Sequence, residues 1–189
     1  MSPAARSEEA ILRATLDLLA ELGFAGVTVD AVAARAGVGK ATIYRHWGSR
    51  AKLVHAAAAC LHADVPRPDT GTLRGDLEEL GRSLCDFLAS EDSGRVFASM
   101  LDAAERDEEL GELRMEHVRH KRAATRALFE RAIERGEIDP DLDLEAAVDI
   151  TAGPLFYRRL SRNPMQPADL AAHLDLVLRA VGARDRADA

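Results

Sequence analysis

Lys40, Thr42, Tyr44, Arg45 and His46 fall within one short stretch, with Thr28 upstream and Arg50 downstream. These residue types suit the edges and backbone of a DNA duplex. Arg45 can fork onto guanine O6 and N7, Lys40 can reach the same acceptors, and the Thr42 methyl can touch a thymine methyl. Tyr44 and His46 can donate to phosphates, and Arg50 falls at a helix start, where free N–H groups also favour phosphate. Small Gly39 and Ala41 allow close approach.

Charge supports the same site. The 189-residue chain has a net charge of −7, yet residues 1–55 hold seven Lys/Arg against five Asp/Glu, a balance of +2. The remaining residues hold 18 against 27, a balance of −9. From Ala31 to Ala63 there is no carboxylate, while Arg35, Lys40, Arg45, Arg50 and Lys52 all fall there, with His46 and His55. An acid-free basic segment in an acidic chain points to a local polyanion contact.

Other chemistries find less support. Glu116, His117 and His120 have spacings that put two ligands on one helix face, which would suit a metal-binding sensor or a small helical enzyme. Arg114, Arg119, Lys121 and Arg122 surround them, so the segment reads as a charged solvated face. No P-loop, GxGxxG, HExxH or GxSxG string occurs. No catalytic residue, metal or cofactor is therefore expected. Cys60 and Cys85 form no CxxC pair and no disulfide framework. The longest wholly apolar run is Ala56–Leu61, too short for a membrane span, and the start lacks a signal-peptide core. A reduced, cytoplasmic chain with no membrane contact is expected.

Helices must position the basic segment, because Ala, Leu, Glu and Arg dominate and β-type alternation is scarce. A first helix is predicted over about Ser7–Leu22, with Ile11, Thr15, Leu18, Leu19 and Leu22 on one face and Gly23 after it. Thr28 should cap a second helix that Gly37 ends. A short third covers Lys40–Trp47, with Val38, Ile43 and Trp47 facing inward. Ser49 caps a fourth running to about Ala63. The string Val65–Gly71, with Pro66 and Pro68, is the clearest boundary. Downstream, helices are predicted over about Leu73–Ala89, Arg95–Ala104, Glu108–Arg135, a proline-kinked eighth capped by Asp143, and a ninth from Pro167 to about Val181. Ser90–Gly94 should be a break.

Two short helices joined through Gly37 describe a helix-turn-helix, and the string itself is more specific. Val27–Arg50 closely resembles the DNA-binding region of TetR-family transcriptional regulators, whose pattern is T-x-x-x-I-A-x-x-A-G-V-S-x-x-T-x-Y-x-H-F followed by a Lys. Thr28, Ala33, Ala36, Gly37, Val38, Thr42, Tyr44 and His46 match. Val32, Trp47 and Arg50 are close replacements. Gly39 is the substantive departure, since it removes a hydroxyl at the start of the recognition helix.

The resemblance implies an all-α protein of about nine helices: an N-terminal three-helix helix-turn-helix DNA-binding domain (1–50), a connecting helix and linker (51–66), a C-terminal helical ligand-binding and dimerisation domain (67–182), and a disordered tail (183–189). It implies that Thr28, Tyr44, His46 and Arg50 touch the DNA backbone and that Lys40, Thr42 and Arg45 reach bases. It also implies a homodimeric repressor of a palindromic double-stranded operator, released by an unknown small-molecule inducer. Phe97, Met100, His117 and Tyr157 are the expected inducer contacts. Leu144, Val148, Leu155, Phe156, Leu160, Leu170, Leu174, Val177, Leu178 and Val181 are the expected apolar surface for the partner.

Overall fold

A computed structural model describes residues 3–61 and 68–183, with side chains from residue 5. Among the described residues there are nine helices and no strand. They are α1 (Pro3–Gly26), α2 (Val29–Ala36), α3 (Lys40–Trp47), α4 (Arg50–Cys60), α5 (Leu73–Ala89), α6 (Glu91–Ala104), α7 (Glu108–Glu134), α8 (Leu144–Leu160) and α9 (Pro167–Ala180). None is long and apolar enough to cross a membrane. The expected linker residues 62–66 and the tail residues 184–189 lie outside the described residues. Ala183, the first residue of the expected tail, is tied in by its N–H to the Leu178 carbonyl at 2.9 Å.

Contacts gather the chain into two compact units. One holds α1–α4, α6 and α7 as far as His117. Its core is built from Ile11, Leu18, Leu19, Val27, Val32, Ile43, Leu53, Val54, Val96 and Leu110. The second unit holds α5, the rest of α7, α8 and α9, around Leu73, Leu77, Phe129, Leu155, Leu174 and Val177.

Most helix ends have the chemistry their sequence predicts. Asp143 accepts from the Glu145 and Ala146 N–H groups. Gln166 and Asp169 form a capping box at α9, with Pro167 in the first turn. Two expectations change. The break before α6 is only Ser90, whose extended ψ of 129° ends α5. Glu91 and Asp92 then sit at the positive end of the α6 dipole, which favours an early start. Gly23 does interrupt α1 (φ 67°), but Leu22 is 59% exposed, lying over Gly26 instead of joining the core. As expected, α8 carries Gly153–Pro154 inside a single helix. Ile150, whose carbonyl Pro154 leaves without its helical donor, is on the exposed side, where water can bond it.

The expected partner surface is also redrawn. Leu144, Val148, Leu155, Leu170, Leu174, Val177, Leu178 and Val181 are buried within the second unit. Burying them against α5 and α7 removes them from water without a partner. The uncharged residues that α8 leaves exposed are Ala146, Ile150, Gly153, Tyr157 and Leu160, and the large apolar residue that α9 leaves exposed is Leu176.

Candidate nucleic-acid interface

Local caps build the helix-turn-helix. Thr28 has extended backbone and its Oγ1 accepts from the Ala31 N–H at 3.1 Å. Gly37 adopts the left-handed conformation (φ 67°, ψ 34°), which only glycine takes without steric cost. The Gly37 and Val38 N–H groups both bond the Ala33 carbonyl, closing α2. Gly39 then precedes α3 with no side-chain cap, as its missing hydroxyl requires.

One face of α3 is anchored and the other is open. Ile43 is 1% exposed, and Val38 and Trp47 pack partly buried against the same core. The His46 ring lies 5.5 Å from the Trp47 ring. Lys40, Ala41, Tyr44, Arg45 and His46 are exposed, and Thr42 is half-buried. Tyr44 is a large ring left 52% accessible, where a lone fold would rather bury it. The helix therefore presents cations, hydroxyls and one small residue, with no acid in its sequence.

The cations are not bare. Lys40 is ion-paired with Asp30 at the start of α2, and that bond raises the ammonium pKa. Arg35 makes a two-pronged bond to Glu21, with both distances 2.9 Å, which raises the guanidinium pKa and lowers that of the carboxyl. The Arg50 guanidinium stacks 4.0 Å over the Phe24 ring and lies 3.8 Å from Asp107. Ser49 caps α4 through the Lys52 N–H, and the Lys52 ammonium is 3.9 Å from Glu109. Sequence patterning had no means of pairing these acids with these cations, since Asp107 and Glu109 are remote in the chain.

The four expected inducer contacts are divided between the two units. Met100 is 7% exposed inside the core of the first unit. Phe97, on α6, and His117, on α7, are half-buried in that unit. Tyr157 is 70% exposed on α8, in the other. The metal alternative fares no better. Among the described residues, no group of three or more His, Cys, Asp or Glu is placed to hold a metal ion, so Glu116, His117 and His120 do not form a site. His117 instead meets His55 of α4 edge-on, with ring centroids 5.8 Å apart. His55 Nε2 is buried without a hydrogen bond, and burial holds its pKa below the ordinary 6.5.

A two-helix reader with a fixed inner face and an open basic outer face defines the class: a helix-turn-helix DNA-binding protein. Comparison with known proteins narrows it. Residues 11–57 match the family described as bacterial regulatory proteins, tetR family, and residues 67–177 match the tetracyclin repressor-like C-terminal domain. The chain is similar to the uncharacterised HTH-type transcriptional regulator YdeS of Bacillus subtilis, 38% identical over 82% of this chain and 78% of that one. It is also similar to the DNA-binding transcriptional repressor TetR of Mycobacteroides abscessus, 30% identical over 93% of this chain and 95% of that one. The solved TetR-family regulator SCO0332 superposes with a TM-score of 0.72 at 27% identity, covering 95% of this chain and 98% of that one. The chain belongs to the TetR family and is a DNA-binding transcriptional regulator rather than an enzyme.

Proposed function

We propose that this regulator is a homodimeric cytoplasmic repressor. It binds a two-fold operator through α3 of each copy and is released by a small-molecule inducer. The observation that carries the DNA reading is the exposed, acid-free outer face of α3, held in place by Ile43 beneath it. In this reading Lys40, Thr42 and Arg45 read base edges, while Thr28, Tyr44, His46 and Arg50 hold phosphates. Thr28 Oγ1 can serve both ends, since a hydroxyl that accepts from Ala31 still has a proton to donate. Repression is supported by the Mycobacteroides abscessus relative, which is a transcriptional repressor.

The second copy is supported by what α8 and α9 leave uncovered. Ala146, Ile150, Gly153, Tyr157 and Leu160 recur at helical spacing along α8, and Leu176 adds a 60% exposed leucine on α9. The same faces on a symmetry mate would cover this stripe in a four-helix contact. Tyr157 then belongs to the dimer, and Met100 to the core. Phe97 and His117 are the expected inducer contacts that this reading keeps.

The test uses the DNA upstream of the protein's own coding region. The purified protein should retard that fragment in a gel and protect an inverted repeat within it, with one dimer per repeat by sedimentation. Binding without any two-fold element in the protected segment would contradict the reading.

A further inference from the structure

We infer that Asp107 and Glu109 act as built-in competitors of DNA phosphate for Arg50 and Lys52, so that these two acids set a ceiling on the affinity of the reader. The inference rests on the reading above that the start of α4 faces the DNA backbone.

Asp107 is held in place by the backbone at the start of α7. Asp107 is the N-cap of α7: its Oδ1 accepts from the Leu110 N–H at 3.0 Å, and its own carbonyl accepts from Gly111. An acid is favoured there by the helix dipole. The corner is tightly closed, because a Cβ on Gly111 would fall 2.9 Å from the Ala104 carbonyl oxygen. The second oxygen, Oδ2, is thereby aimed at Arg50, and Glu109 lies in the first turn, facing Lys52.

The pairs are loose in a telling way. At 3.8 and 3.9 Å they lie beyond hydrogen-bond length, so they attract by charge alone. The Arg50 and Lys52 side chains remain 36% and 56% exposed. A phosphate arriving at the start of α4 would meet both the cations and, within a Debye length, two carboxylates of its own sign. Each acid therefore subtracts from DNA binding without preventing it.

The test is a binding titration of the full chain with a fluorescently labelled mixed-sequence duplex, followed by anisotropy from about 50 to about 200 mM salt. Asp107→Asn keeps the cap and removes the charge, and Glu109→Gln lies outside the cap. Each should tighten binding roughly two- to fivefold at the lower salt, and the gain should shrink as salt rises. Glu105→Gln, which removes a charge from the same corner without touching either cation, should give less than half that gain. In an Arg50→Ala background the Asp107→Asn gain should vanish. Unchanged or weaker binding in both acid variants, or an equal gain from Glu105→Gln, overturns the competition. If Arg50→Ala alone leaves affinity unchanged, the phosphate role of Arg50 itself fails.

Discussion

In the unit that carries α3, arginines and lysines stand at the surface and their acids meet them at the edge. The other unit has such exposed pairs too, Arg126 with Glu130 and Arg74 with Asp175 among them, but it adds a buried one. Asp76 of α5 is wholly buried, accepts from the Thr70 N–H and hydroxyl at 2.7 and 2.8 Å, and faces Arg131 and Arg135 at 3.5 and 3.6 Å. Arg131 also donates to the Pro68 carbonyl. The same residue types serve two ends. Exposed ion pairs can exchange partners with a polyanion at little cost, whereas a buried carboxylate must keep its partners or destabilise the fold. The second unit commits one carboxylate, Asp76, to a single packing.

Breaking the committed side should have the largest effect. Asp76→Ala should lower unfolding free energy by about 3–5 kcal/mol, since it removes the buried anion that Thr70 bonds and that Arg131 and Arg135 face. Urea denaturation followed by circular dichroism reads this, and a loss under about 1 kcal/mol would dissolve the contrast between the units. Next in size is Gly81→Ala. Its Cβ would fall 2.8 Å from Leu170 Cδ1, where α5 and α9 pack, so overpacking should cost about 1–3 kcal/mol. An unchanged urea midpoint would mean that Leu170, buried at 4% exposure, can move aside.

The smallest effect lies in the reading unit. Burial holds the His55 pKa below 6.5, so the folded state resists the proton that the unfolded state accepts. Its neutral form is fully accommodated above that value, and stability is lost as pH falls through it. Between about pH 7.5 and about pH 5.5 the melting temperature of the natural protein should drop more than that of His55→Gln. Equal drops would show that the unbonded Nε2 is not what limits packing beside His117.

Much of this was legible in the chain because caps and glycine stops are local chemistry. Thr28, Ser49 and Asp143 begin helices where their hydroxyls and carboxylate can accept free N–H groups, and Gly37 and Gly136 end them with positive φ. The face of α3 was legible too, because Ile43 and Trp47 recur four apart. Long-range pairing was not. Asp76 falls on the Leu73–Leu77–Leu80 stripe, an oddity that could have flagged a buried acid, but nothing in the sequence names Arg131 or Arg135 as its partners. The packing of α6 with α1, which buries Met100 and bonds Ser99 Oγ to the Phe24 N–H, left no local mark either. The surface of α8 was misjudged because burial of its leucines depends on where α5 and α7 lie, which periodicity does not encode.

The central claim is that the open face of α3 reads bases while the start of α4 holds the backbone. The most direct measurement compares Arg45→Ala with the natural protein on two duplexes, one carrying the protected repeat from upstream of its own gene and one of mixed sequence. The account predicts a loss of about 1–3 kcal/mol on the first, with preference relaxed at one base pair, and little change on the second. An equal loss on both duplexes would show that Arg45 only holds phosphate and would contradict the account.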